Sequence, residues 1–295
     1  MRRTPITLLA VLWLAAAVSA RLAIVASTTD LAAIARAVGG DEVQVGSLAR
    51  GDGNPHNVEV LPSSMVEVAR ARIYLKVGLG LDPWAQPIID GSRNPRLRVV
   101  DCSRGVAVMN VPQGKVDASM GDVHPEGNPH YWLDPANGLV VAATIRDALC
   151  EADPAHAAGY RSGCAAFETR MKEAMAAWRE RARPLQGLPV VSFHDSWPYL
   201  ARAFGFQVVG FVEPRPGIEP TPSHTAELVE LIKNRRVPII IREPYYSPRV
   251  PQRLASLTGA RVVALAPSVG GAKAVEDYMA LFEHDLDLLL AAKGK

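Results

Sequence analysis

Seven histidines are spread along the chain, and three of them stand where a side chain can do chemistry. His56 lies in the loop "GDGNPHNVEVLPSS", His130 in "GNPHYWLDP", and His194 closes the apolar run "PVVSFHDS". Each leaves an extended segment, and two share the tripeptide Asn-Pro-His. Pro129 removes a backbone donor and biases Asn128 toward an extended conformation, so His130 sits on a stiff, non-helical segment. A histidine held this way is either a packed, hydrogen-bonded core residue or a ligand fixed at one angle. Three neutral imidazoles form a good zinc set, with a carboxylate or water in the fourth place. Sequence separation alone leaves both readings open. The other four read as a solvated loop residue (His124), helix surface positions (His156, His284) and a residue serving a helix start (His224).

The surrounding elements must position these side chains. "RLAIVASTTD" reads as a strand that runs into the amphipathic helix "LAAIARAVGG". "EVQVGSLA", "IYLKVGLG" and "LRVVDC" read as further strands, with "PSSMVEVARARI" helical between them. A second set follows: the strands "LPVVSFHDS", "FQVVGFV", "VPIIIREP" and "ARVVALAP", separated by "TAELVELIKN" and "SPRVPQRLASLTG". Strands alternating with helices predict parallel sheets covered by helices. Between the sets, a helix capped by Asp153 and stopped by Pro184 would run about 30 residues, roughly 45 Å. Such a helix suits a connector between two lobes. Pro135 is expected to stop a turn, and "AVEDYMALFEHDLDLLLAAK" closes the chain as a helix. The organisation is an α/β protein of two lobes with mainly parallel sheets joined by a long backbone helix. Residues 21–150 form the first lobe, 151–184 the connector and 185–295 the second. A cleft between lobes, at strand ends, is a preferred place for a ligand.

The chain has 295 residues, 48% hydrophobic and 21% charged, as expected of a soluble globular protein. Residues 1–20, "MRRTPITLLAVLWLAAAVSA", have the grammar of a secretory signal: two arginines, a short apolar run, then Val18-Ser19-Ala20. Without Arg2 and Arg3, basic and acidic residues balance, which gives no footprint for nucleic acid. No cysteine stands at the cleavage point, so no direct membrane anchor is expected. A periplasmic monomer is the simplest expectation. Cys102, Cys150 and Cys164 cannot all pair within one chain. A Cys150–Cys164 disulfide and three buried thiols both remain open.

"GNPHNVEVLPSS", "VGLGLDPW", "GNPHYWLDP" and "VVSFHDSWPYLARAFG" together resemble the metal-binding solute receptors of bacterial zinc and manganese ABC transporters, the ZnuA/TroA type. The similarity runs in order through nearly all of residues 21–295. It implies two pseudo-symmetric lobes, a rigid helix between them and a metal in the interlobe cleft. The family's ligand histidines fall on His56, His130 and His194. It also implies a membrane permease of an ABC transporter as partner, and no enzymatic activity. The family's fourth ligand is an aspartate in a Leu-Asp-Pro string, and here that string reads "VVALAPSVGG", with Ala266 in its place. Glu243 in "IIIREPYYS", Glu59, or a water or chloride are the three candidate replacements. For Glu243 an ion pair with Arg242 or another arginine is the competing expectation. Asp134 and Asp195 are candidates to accept the ligand imidazoles' other N–H.

Three imidazoles with few hard carboxylates favour Zn²⁺ over Mn²⁺, the alternative cargo. An open fourth position also suits a zinc hydrolase. Against that class, the chain has no His-Glu-x-x-His helix and no Gly-x-Ser-x-Gly elbow. A receptor for an organic solute would draw on Arg215 and Arg242.

Overall fold

The computed structural model describes residues 21–294 apart from 115, 117–120, 122 and 216, and the expected signal segment 1–20 lies outside the described residues. The first half runs β1 (Leu22–Ala26), α1 (Thr29–Gly39), β2 (Val43–Ser47), α2 (Pro62–Arg70), β3 (Ile73–Lys76), α3 (Ala85–Ser92) and β4 (Arg98–Asp101). Helices α4 (Pro135–Ala152) and α5 (Ala157–Arg181) follow. The second half runs β5 (Pro189–Ser192), α6 (Pro198–Phe204), β6 (Gln207–Phe211), α7 (Pro222–Arg235), β7 (Ile239–Arg242), α8 (Arg249–Thr258), β8 (Arg261–Ala264) and α9 (Tyr278–Lys293).

Each half builds a four-stranded parallel sheet in the same order, β2-β1-β3-β4 and β6-β5-β7-β8. The inner strands β1, β3, β5 and β7 are covered on both faces, which is why they read as apolar runs and not as alternations. Ile239, Ile240 and Ile241 of β7 are all fully buried. In both sheets the order reverses at the first strand, and the crevice outside the strands' carboxyl ends is the favoured ligand position.

Three expectations need correction. Pro135 stops no turn. It opens α4 at the first helical position, where its missing N–H costs nothing, and Asp134 caps that helix by accepting from the Ala136 amide at 2.8 Å. The connector is also shorter than the pattern suggested: α5 has 25 residues, about 38 Å. Asp153 does not cap it. Its carboxylate instead takes His156 Nδ1 and the Tyr160 hydroxyl, both at 2.7 Å. His156 is therefore no plain surface position, and it also faces Glu42 at 3.4 Å. All three cysteines are free, with Cys150 turned toward the Ala157 carbonyl. Gly163, which weakens a helix on propensity, has a packing role here. A Cβ there would lie 2.3 Å from the Val38 carbonyl oxygen, so glycine is what lets α5 cross α1 closely.

Helix α9 packs on β8 but also on α5 and α1. Trp178 and Arg181 of α5 bond Glu283, and Arg181 also pairs with Asp287. The segment after β8 is held from several sides. Asp285 of α9 accepts the Ala266 amide at 2.8 Å, Asp30 of α1 accepts the Val269 amide at 3.0 Å, and Trp132 Nε1 donates to the Pro267 carbonyl at 2.9 Å. Gly51 of the first lobe lies so close that a Cβ would sit 2.0 Å from the Val269 oxygen. Among the described residues, no helix is long and apolar enough to cross a membrane.

Asp30 is fully buried, and burial pushes its carboxyl from 3.8 up to about 7 against the opposing pull of the Val269 amide. The folded chain therefore keeps a proton that the unfolded chain releases above about pH 4. Stability falls as pH rises between those two values, by about 4 kcal/mol at 1.36 kcal/mol per unit, and then levels off. Asp30→Asn removes the ionisable group. In urea unfolding the variant should gain on the wild type at pH 8 and lose that advantage at pH 4.5; a constant difference across this range would contradict the assignment.

Candidate metal centre

His56 lies in the long loop between β2 and α2. Its backbone N–H donates to Asn54 Oδ1 at 3.0 Å, and Trp84 Nε1 holds the Pro55 carbonyl at 2.9 Å, so the Asn-Pro-His turn is fixed from both sides. In the second Asn-Pro-His, Asn128 Oδ1 accepts both the backbone N–H and Nδ1 of His130, each at 3.0 Å. That places the ring proton on Nδ1 and leaves the Nε2 lone pair free. His194, just past β5, directs Nδ1 to Glu213 Oε2 at 2.8 Å. Glu213 follows β6, the neighbour of β5, and is steadied by the Gly217 amide at 3.1 Å.

Two of these histidines are buried, His56 is partly so, and one ligand nitrogen from each lies within 4.8 Å of the others. The Nε2 atoms of His56 and His130 are 3.0 Å apart. Around a tetrahedral zinc at 2.0–2.1 Å, ligand nitrogens stand about 3.4 Å apart. One ion meets all three once the His56–His130 pair spreads slightly and the wider pairs, at most 4.8 Å apart, close.

The charge state is divided. Burial, followed by the nearby imidazoles, pulls His56 and His130 well below the usual histidine range, so both stand ready as neutral donors. Burial also pulls His194 down. There the Glu213 hydrogen bond and the charges of Glu243, Glu213 and Asp195 outweigh it, and the group is raised.

Most of the other candidates fall elsewhere. Glu59 is exposed and outside the cluster. Glu243 is fully buried at the end of β7, with neither oxygen in a well-formed hydrogen bond. Burial pushes it up to about 7, the His194 charge and the Ser196 hydroxyl pulling the other way. Its expected ion pair with Arg242 is absent. That guanidinium turns to the carbonyls of Glu243, Pro244 and Tyr246. Yet Glu243 is not in the group whose ligand atoms converge.

Asp134 orients no histidine: besides capping α4 it pairs with Arg202 at 2.8 Å. Asp195 accepts from Asn110 at 3.3 Å and reaches the histidine network through Asn128, whose Nδ2 donates to its backbone carbonyl at 2.7 Å. The residues that do orient the rings, Asn128 and Glu213, were not singled out from sequence. A usable signal existed for Glu213, because "FVEP" after β6 repeats the strand-exit Glu-Pro of "IREP" after β7. His124, expected to be solvated, is partly buried and stacks on His56 with ring centroids 5.2 Å apart. His224 serves the start of α7 as expected, its N–H donating to Thr221 Oγ1 and Nε2 meeting the Phe211 carbonyl.

Two like lobes, a connecting helix and buried imidazoles converging at strand ends define a two-lobed metal-binding solute receptor. The family model described as "Zinc-uptake complex component A periplasmic" matches residues 24–292, and the chain belongs to that family, one of receptors and not of enzymes. Among named relatives, the "Iron-binding protein YfeA" of Yersinia pestis is 26% identical over 276 residues, covering 92% of this chain and 85% of that protein. The "High-affinity zinc uptake system protein ZnuA" of Brucella abortus is 29% identical over 138 residues, 47% of this chain and 41% of that protein. A crystal structure of ZnuA superposes with a TM-score of 0.80 at 24% identity, covering 92% of this chain and 99% of that one, which establishes the shared fold.

Carboxylates that orient a ligand imidazole are worth 10–100-fold in metal affinity. Glu213→Ala should therefore weaken metal binding by about that factor in chelator competition, whereas Asp195→Ala should cost much less. Equal losses in the two variants would remove Glu213 from this role.

Proposed function

We propose that this chain is an extracytoplasmic receptor that captures Zn²⁺ through His56, His130 and His194 and delivers it to the membrane permease of an ABC transporter. The observation that carries this reading is the convergence of three ring nitrogens within 4.8 Å, with no carboxylate in the same group. Manganese and magnesium favour oxygen-rich surroundings, while imidazole suits zinc. Two of the three imidazoles are already neutral, as binding requires.

The fourth position falls to solvent. Ala266 is buried and has no side-chain ligand atom, and its amide is taken by Asp285. Glu59 is exposed, and Glu243 stands behind His194 as a source of negative charge. Export by residues 1–20 and action as an unanchored periplasmic monomer complete the proposal. The iron-binding relative supports one competing cargo, Fe²⁺, which imidazole also suits.

The mature protein, stripped of metal and titrated against a chromophoric chelator, should take up one zinc per chain and hold manganese far more weakly. His130→Ala should lose about 100-fold or more in zinc affinity, at least the effect of removing an orienting partner. Tighter binding of Fe²⁺ or Mn²⁺ than of Zn²⁺ would reassign the cargo. Binding indifferent to His130 would refute the site.

A further inference from the structure

The two lobes repeat one strand order, so each is a control for the other. Gly46 of β2 pairs with Val25 of β1, and Gly210 of β6 pairs with Val191 of β5, which makes the two glycines counterparts. The helices that follow these strands cover them differently. Helix α7 has 14 residues, and a Cβ at Gly210 would meet its Leu228 and Leu231 at 3.4 Å. Helix α2 has 9 residues, and a Cβ at Gly46 would collide with Oε1 of its Glu67. Where the second lobe is closed by leucines, the first holds a carboxylate beside an open groove of about 460 Å³. The fold does not require this opening, because its twin fills the same place.

One wall of the groove is a single stripe of α2. Ser63, Val66, Glu67 and Arg70 follow the i, i+3, i+4, i+7 spacing of one helix face, and all four line it. Val45 and Gly46 of β2 lie opposite. Glu67 and Arg70 stand three residues apart, where opposite charges on a helix ordinarily pair. Among the described residues, their side chains bond neither each other nor any other group. Burial raises the Glu67 carboxyl above the usual carboxylate range, and no cation offsets it. The groove thus presents an acid and a base on neighbouring turns, about 5–6 Å apart at their Cβ atoms. That separation suits a molecule that carries an ammonium and a carboxylate on one carbon. A guanidinium can hold the carboxylate with two parallel hydrogen bonds. Val45 and the exposed Val66 offer apolar contact beside the charges.

We propose that this groove binds a free α-amino acid with an apolar side chain, Glu67 taking the ammonium, Arg70 the carboxylate, and Val45 and Val66 the side chain. Gly46 serves the site by letting the Glu67 carboxylate lie against the strand. The groove shares no residue with the three converging histidines, so this second ligand is independent of the metal reading.

The test is equilibrium dialysis of radiolabelled L-leucine against the mature chain, with zinc affinity measured separately by chelator competition. Wild type should retain one leucine per chain. Glu67→Gln and Arg70→Gln, each removing a charge-assisted hydrogen bond, should weaken leucine binding about tenfold or more. Gly46→Ala, which displaces the Glu67 carboxylate, should act like Glu67→Gln. Zinc affinity should stay unchanged in all three, and 4-methyl-2-oxopentanoate, which lacks the ammonium, should fail to displace the label. A chain that retains no leucine, variants that retain it like wild type, or displacement by the oxo acid as effective as by unlabelled leucine would each overturn the proposal. A parallel loss of zinc affinity in the variants would overturn the separate site.

Discussion

An imidazole aims a lone pair at an ion through the nitrogen that carries no proton, and a partner that accepts from the other nitrogen fixes both the tautomer and the ring's direction. Asn128 is that partner for His130 and Glu213 for His194. Both partners are tied into the lobes that carry them. Asn128 donates across the cleft to the Asp195 carbonyl and receives the Tyr199 hydroxyl on its own carbonyl, while that same oxygen of Tyr199 accepts the Met109 amide. Asn128, which orients the His130 ring, is therefore also a tie between the lobes, whereas Glu213 orients His194 from within the second lobe. A shift of one lobe against the other has to disturb the ligands.

The segment after β8 is the second place where the lobes are joined, and it explains how an alanine is accommodated at 266. Its amides and carbonyl are taken by Asp285, Asp30 and Trp132, so the backbone path is fixed without any contribution from the side chain at that position. Two of the three partners are buried acids, both raised by burial. A neutral acid can accept an amide in a dry interior without the cost of an unpaired charge. An alanine at 266 therefore leaves the path of this segment unaffected.

The sheets were legible because strands such as "VPIII" and "RLAIVA" are covered on both faces and read as unbroken apolar runs. Helix α4 was not. Its inner face is lined by Gly138, Val141, Ala142 and Ile145, with further apolar residues elsewhere around it, so no single stripe stands out. Helix α3 contains Pro87 and Gly91, and α6 has seven residues; neither is long enough to show a period clearly. At the site, only His194 directly follows a strand; His56 and His130 lie in the long loops after β2 and β4, and the Asn-Pro-His tripeptide they share was the better guide to them. The orienting groups were missed because nearness along the chain was the wrong guide. Successive residues of an extended segment point to opposite sides, so Asp195 does not serve the ring of His194. Strand order decides instead: β6 lies beside β5, which brings Glu213 to His194 from nineteen residues away.

The charges around the centre follow the same division. Nitrogen stands where an ion would be touched, and oxygen stands one step behind it in Glu213, Glu243 and Asp195, all acting on His194. A carboxylate in direct contact would favour hard, oxygen-seeking ions, whereas imidazole alone would leave a buried double charge uncompensated. At an effective dielectric of 20, unit charges about 6.5 Å apart, the span from an ion across an imidazole to the carboxylate behind it, still attract by about 2.5 kcal/mol, so such a carboxylate retains part of the stabilisation without setting the ligand type. Burial of Glu243 serves this arrangement. Kept from solvent and left without an arginine partner, its negative charge, once formed, has His194 and whatever His194 holds as its available counterpart.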